Sequence, residues 1–190
     1  MNNNIERANA YFDSKKDEML DLLIKLVNMK SVAEPSLNPD YPMGKDVLKV
    51  LNFMLDKGEN EGFVTKDYDH YVGGIGLRNL DFKETISLVG HLDVVPAVGE
   101  WKYEAYNATI DHGCVIGRGA SDDKSAAVIG FYILKCLKEL NIDDKLFTDK
   151  TVMYEISNAK NEMLEPEDYL KKYAGDLRRE TIGRIYKIYQ

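Results

Sequence analysis

The chain has 190 residues, 44% of them hydrophobic and 30% charged, with a formal net charge of −7 at neutral pH. That length supports one ordinary domain with a real core, and the composition excludes a disordered polymer. The acidic balance argues against a nucleic-acid partner, and the lack of an apolar run of membrane-spanning length argues against a membrane partner. Two cysteines, Cys114 and Cys136, are too few for a disulfide framework and lack ligand spacing. Together with the polar start Met1–Asn4 they point to a cytoplasmic protein.

Residues 4–29 carry apolar side chains at helical spacing: Ile5, Ala8, Tyr11 and Phe12, then Met19, Leu22, Leu23, Leu26 and Val27. Asp13–Ser14 is a candidate break, since both residues favour caps. A Pro-rich loop over residues 33–43 follows, then a second helix over residues 44–58. Residues 63–68 and 71–77 alternate as strands. Gly73, Gly74 and Gly76 read as close backbone approach within a sheet, because G-G-I-G lacks the dinucleotide spacing and no helix follows. His70 reads as a surface turn residue.

The central stretch begins with Ile86–Val89, a short β-branched run ended by Gly90, which reads as a buried strand. His91 and Asp93 stand at its C-terminal end, where open α/β sheets collect their chemistry. After a loop with Trp101, residues 108–110 and 114–116 predict a hairpin with Asp111, His112 and Gly113 at its turn. Gly117-Arg118-Gly119-Ala120-Ser121-Asp122-Asp123-Lys124 then leads into a helix over residues 121–140, with Ser121 or Asp122 as its expected cap. This helix is apolar nearly all round at its start, which predicts burial, and Cys136 reads as a buried small hydrophobe. An imidazole and a carboxylate, each on a turn leaving an element, are suitable zinc ligands. Asp93, two residues after His91, can fix the imidazole in its ligating tautomer. The alternative is a polar loop histidine and an acidic pair at a helix start.

The motifs G-H-L-D-V-V-P and G-R-G-A-S-D-D-K, in this order, resemble the signature of the zinc aminoacylase and dipeptidase family. That family includes acetylornithine deacetylase, succinyl-diaminopimelate desuccinylase and carboxypeptidase G. The spelling D-V-V-P, with Gly99-Glu100-Trp101 in the loop, is most similar to the bacterial Xaa-His, carnosinase-like dipeptidase branch. The resemblance covers roughly residues 4–142. It implies an α/β fold: part of a catalytic domain, with a mixed sheet flanked by helices and a helical C-terminal tail. It implies that His91 ligates one zinc, that Asp122 bridges two, and that Asp93 is the catalytic-site aspartate. A cis peptide at Asp122–Asp123 is part of the same pattern. Two zincs per site is the family's arrangement, with cobalt or manganese as substitutes, and the substrate is a dipeptide or an N-acyl amino acid. The family usually writes D-D-K-G, whereas Ser125 stands here in place of that glycine.

Farther on, the resemblance implies a strand and then T-D-E-E, whose glutamates are the general base and a zinc ligand, and a late histidine ligand. Thr148-Asp149 matches the start of that motif, but Lys150 and Thr151 replace both glutamates, and no histidine follows His112. Asp149 and Glu155 are the carboxylates left as substitutes. Residues 143–190 resemble no family. Glu165-Pro166-Glu167-Asp168 marks a helix start, with an apolar stripe beyond it, and residues 161–190 balance six acids with six bases. The expected organisation is therefore residues 1–142 as the first part of a metallopeptidase domain and 143–190 as a helical tail. The expected function is a dipeptidase-like hydrolase by descent, truncated, inactive as it stands and holding at most a partial metal site. A binding or regulatory half-domain and an unstable pseudogene product are the alternatives, with self-association or a complementing chain covering the exposed face.

Overall fold

The computed structural model of the protein describes residues 3–78, 80, 86–140 and 149–189. It groups the chain into two compact units, residues 14–136 and residues 1–13 with 137–190. The architecture is α/β, with helices and small sheets.

Helix α1 (Asn3–Asn28) runs unbroken through Asp13–Ser14. Its later turns bury Leu22, Leu26 and Val27 in the core of the 14–136 unit. Helix α2 (Lys45–Asn60) buries Val50, Leu51 and Met54 and ends at Gly58–Asn60. Strands β1 (Val64–Tyr68) and β2 (Val72–Gly76) pair antiparallel in register Val64 with Gly76. Their turn places Asp69 and His70 at positive φ, 53° and 62°, and the Asp67 carboxylate accepts from the His70 backbone N–H at 2.8 Å. His70 is thus a satisfied turn residue, as expected. The glycines of β2 let α2 lie close on the hairpin. A Cβ at Gly73 would stand 2.7 Å from Leu51 Cδ1 and 3.0 Å from Leu55 Cδ2.

Strands β3 (Thr109–Asp111) and β4 (Cys114–Ile116) form the second hairpin. Its turn residues His112 and Gly113 both have positive φ, 48° and 77°, which suits a two-residue connection between twisted strands. Helix α3 (Ser125–Glu139) buries Val128, Phe131, Tyr132 and Cys136. Ile129 stays 49% exposed, so the early part of α3 is less enclosed than its composition predicts. Phe131 packs edge-on against Phe63 with ring centroids 5.6 Å apart.

The expected buried strand at Ile86–Val89 is not found. These residues lie outside any ladder among the described residues, with Ile86 84%, Leu88 65% and Val89 90% exposed. An apolar β-branched run states a preference for burial but cannot supply the neighbouring strand that a ladder requires. The nearest pairing is one isolated parallel bridge between Val32 and Val94.

The other unit contains helices α4 (Asp149–Asn161), α5 (Pro166–Lys172) and α6 (Leu177–Tyr189). Pro166 opens α5 behind the extended Glu165, as expected of a proline in a first helical turn. Ile156, Ala159, Tyr169, Ile182 and Tyr186 form its buried cluster. Gly183 lets α6 approach α5, since a Cβ there would meet Leu170 Cδ2 at 2.7 Å. The tail is helical, as its sequence predicts, although nothing in the sequence analysis identified α4. Phe147 and Thr148, where the resemblance implies a strand end, lie outside the described residues.

A line of charge ties α1, α2 and α3 together. Lys135 Nζ lies 2.7 Å from Glu61 and 3.8 Å from Glu18, and Lys57 Nζ is also 2.7 Å from Glu61. Burial pushes the Glu61 carboxyl up, but the hydrogen bonds from Lys135 and Lys57 outweigh it and hold the group below the usual carboxylate range. A group with a depressed folded pKa stabilises the fold above its unfolded pKa, and that contribution is lost as pH falls through the folded value. The wild-type protein is therefore expected to be more stable than Glu61→Gln at neutral pH, with the difference shrinking from about pH 5 to pH 3 in urea melts.

Candidate metal site

The site rests on a tight turn between β4 and α3. Gly119 has φ of 88°, and a Cβ there would lie 2.7 Å from Val94 Cγ1, so both backbone conformation and space require glycine. The next five residues, Ala120–Lys124, form a π-helical turn closed by the Lys124 N–H donating to the Gly119 carbonyl at 3.0 Å. Within it Asp122 and Asp123 have non-helical backbone, and the peptide bond joining them is cis. The expected cap is absent: neither Ser121 nor Asp122 caps the helix, which starts only at Ser125. The turn directs Asp122 to His91 instead.

His91, Asp93 and Asp122 come together. His91 Nε2 lies 3.0 Å from Asp122 Oδ1, and His91 Nδ1 lies 2.9 Å from the Asp93 carbonyl oxygen. The Asp93 carboxylate is farther, with Oδ1 at 3.4 Å from Nδ1. The Asp93 main chain thus makes the shorter orienting contact. Asp123 adds a support that the sequence did not signal, since its Oδ2 accepts from the His91 backbone N–H at 3.3 Å. Gly90 makes room for it: a Cβ there would stand 3.1 Å from that oxygen.

The carbonyl of Asp93 can only accept, so Nδ1 carries a proton and donates to it. Nε2 of a neutral ring then presents a lone pair to the Asp122 carboxylate, which is also an acceptor. At 3.0 Å the contact suits a ring protonated on Nε2 and donating to the carboxylate, and loss of that proton leaves Nε2 a lone pair for a metal ion. Partial burial pushes the His91 pKa down, but its hydrogen bonds to the Asp93 carbonyl and the Asp122 carboxylate outweigh this and raise it above the usual histidine value. The pair is open to solvent, with the His91 side chain 47% and the Asp122 side chain 91% exposed. Among the described residues, no group of three or more His, Cys, Asp or Glu side chains is placed to hold a metal ion. The imidazole nitrogen and the carboxylate oxygen are zinc-type donors, but two such groups fall short of the three protein ligands a zinc site normally has.

The side chain behind this turn is Lys124. It is fully buried, and its ammonium donates to the carbonyls of Leu26 and Met29, both at 2.8 Å. Leu26 lies in the last turn of α1 and Met29 just beyond it, and the Leu26 carbonyl also accepts from the Met29 N–H at 3.1 Å. Burial lowers the Lys124 pKa to about 8, while the charge of Asp93 opposes the shift. Ser31, also fully buried, donates through Oγ to the Leu92 carbonyl at 2.6 Å, and the Val94 N–H donates to the Ser31 carbonyl at 2.9 Å. Neither Lys124 nor Ser31 was identified from the sequence, although Lys124 directly follows the acidic pair. His112, at the hairpin tip with its side chain 94% exposed, takes no part in this cluster. Glu155 belongs to the 137–190 unit, where it accepts from Tyr169 Oη at 3.2 Å.

These features coincide with clear similarity to known proteins. Residues 87–148 match the profile described as peptidase family M20/M25/M40. Over 129 residues the chain is 34% identical to the "Putative dipeptidase YtjP" of Bacillus subtilis (strain 168), covering 67% of this chain and 27% of that protein. A Staphylococcus aureus (strain USA300) protein also named a "Putative dipeptidase" is 30% identical over 133 residues, covering 68% of this chain and 28% of its own. The crystal structure of human carnosine dipeptidase 1 superposes with a TM-score of 0.56 at 22% identity, covering 73% of this chain and 32% of that one, which shows a shared fold. Residues 87–148 thus match the peptidase family M20/M25/M40, and about two thirds of the chain is similar to proteins named putative dipeptidases. The resemblance read from the two motifs is borne out, and the chain spans little more than a quarter of the length of these curated relatives.

Replacing Lys124 by methionine would remove the ammonium donor from the Leu26 and Met29 carbonyls, of which Leu26 keeps the Met29 N–H. The expected cost is about 1–3 kcal/mol, read as a lower urea midpoint of the metal-free protein.

Proposed function

We propose that this chain carries one half of a dipeptidase-type zinc site, with His91 and Asp122 as metal ligands and Asp93 as the residue that orients the imidazole. The observation that carries the reading is the meeting of an imidazole nitrogen and a carboxylate oxygen, His91 Nε2 and Asp122 Oδ1, 3.0 Å apart at a solvent-open turn. The relatives named as putative dipeptidases support a small peptide as the substrate class, and an N-acyl amino acid is the alternative that the motif resemblance implies. Zinc, with cobalt or manganese as substitutes, would polarise the scissile carbonyl when bound. The protein's own part is to hold Nε2 unprotonated toward the ion, through the Nδ1–H hydrogen bond, and to fix Asp122 through the π-helical turn.

Hydrolysis needs more than this. A positioned base contributes about 10²–10⁴-fold, and catalytic zinc sites normally have three protein ligands. Lys150 and Thr151 stand where the resemblance implies two glutamates. We therefore read the chain as a hydrolase by descent that is inactive by itself. Both cysteines are free thiols, which supports a cytoplasmic setting. The expected result is weak, substoichiometric zinc binding by calorimetry, abolished in His91→Ala, and no turnover of a dipeptide panel with zinc, cobalt or manganese. Turnover abolished by Asp122→Ala would restore the full enzyme reading. Two tight zinc sites per chain would overturn the half-site.

A second reading is favoured by the exposed run Ile86, Leu88 and Val89. Large apolar side chains beside a site are a surface for another chain, so a second copy or a complementing chain is the proposed cover. Light scattering after size exclusion is expected to give a mass above the 21.6 kDa monomer. A monodisperse monomer at high concentration counts against it.

A further inference from the structure

An open cleft between α1, α2 and α3 lies outside the metal site. Its volume is about 530 Å³, within the range of small-molecule sites. Asp21, Leu22 and Lys25 line it from α1, Phe53 and Asp56 from α2, and the buried Tyr132 from α3. Its charges fall into two sets. Glu61 is held by Lys57 and Lys135, and Glu18 by Lys15 at 2.7 Å. Asp21, Lys25 and Asp56 are exposed and make no ion pair among the described residues. Asp21 and Lys25 stand four apart on α1, a spacing at which opposite charges commonly pair. The Lys25 ammonium instead lies 4.6 Å from the centroid of the Phe53 ring. Asp56 follows Phe53 by three residues and so shares that face of α2. Burial pushes the Tyr132 hydroxyl up to about 12, and the charges of Glu18, Glu61 and Asp21 add to it, so Asp21 is felt inside the cleft. Two carboxylates and one ammonium are thus left over beside Leu22 and Phe53. A simple anion would face both aspartates, and a simple cation would face Lys25. A zwitterion offers an ammonium to the carboxylates and a carboxylate to the lysine.

We propose that this cleft binds a free α-amino acid with an apolar side chain. Its ammonium is held by Asp21 and Asp56, its carboxylate by Lys25, and its side chain lies against Leu22 and Phe53. Ion pairs at exposed groups are individually weak, so binding is weak and needs both ends of the ligand. No residue of the cleft belongs to the metal site, and the proposal does not rest on the dipeptidase reading.

The test is a titration of the isotope-labelled full chain in EDTA, followed by its amide NMR shifts, with L-leucine, leucinamide and N-acetylleucine. Leucinamide lacks the carboxylate and N-acetylleucine lacks the ammonium. Saturable shifts around Lys25, Phe53 and Asp56 are expected with leucine and not with the other two. Lys25→Gln and Asp56→Asn are each expected to weaken leucine binding about fivefold, with the fold of each variant checked by circular dichroism. If one variant does not fold, the other decides the matter. No saturable shift with leucine, saturable shifts confined to other parts of the chain, equal binding of either analogue, or unchanged affinity in a folded variant overturns the proposal. Because no metal and no turnover enter the assay, the cleft can stand while the hydrolase reading fails, and the reverse.

Discussion

The arrangement around His91 depends on one buried cation. Lys124 Nζ reaches carbonyls at the end of α1 from the turn that carries Asp122 and Asp123. A charged amine is costly to bury and persists only where it is hydrogen-bonded. Here two backbone carbonyls, Leu26 within α1 and Met29 just beyond it, supply the partners. Its consequence for the site is positional. With Lys124 fixed inside the core, the residues just before it cannot continue α3 backwards as a regular helix. They are drawn into the wide turn that brings Asp122 to His91.

His91 is pinned by the same core from the other side. Ser31 follows α1 and holds both the Leu92 carbonyl and the Val94 N–H. Val94 in turn packs where Gly119 has no side chain. One cluster, made from the end of α1, the Leu92–Val94 segment and the Gly119–Lys124 turn, thus positions both His91 and Asp122. The electrostatics follow from that positioning. The Asp93 carbonyl accepts from Nδ1–H, and Asp122 meets Nε2. The Asp122 carboxylate beside Nε2 favours a proton there, and with the Asp93 carbonyl it raises the His91 pKa against the effect of burial.

Much of this was legible in the sequence because it is local. Amphipathic spacing marked α1 and α2, the His112-Gly113 turn marked the second hairpin, and Glu165-Pro166 marked the start of α5. The residues of the candidate site were legible as motifs, His91 and Asp93 in one and Asp122 in the other. What depends on distant partners was not legible. Ser121 and Asp122 read as caps because the local rule for a helix start favours them, and the pull of Lys124 on α1, far off in the chain, overrides that rule. Ser31 shows no pattern at all until Leu92 lies beside it. Helix α4 lacks a strong apolar stripe, and its burial of Ile156 and Ala159 comes from packing with Tyr169, Ile182 and Tyr186.

The run Ile86–Val89 shows why a site can be well placed beside an unpaired segment. Apolar side chains on successive residues suit a strand covered on both faces, and leaving a large aliphatic side chain in water forgoes about 1.5–3 kcal/mol of burial. Leu88 gains only loose contact at Gly130 of α3, where a Cβ would stand 3.8 Å away. Order at His91 therefore cannot come from this upstream run. It comes from the downstream side, through Leu92, Val94 and the buried Ser31, and from Asp123 on the facing turn. A cover over Ile86–Val89 would add stability without having to build the His91–Asp122 contact, because the hydrogen bonds that set that contact are already in place. The two requirements of the site, placement and enclosure, are thus met by different parts of the sequence, and this chain supplies the first.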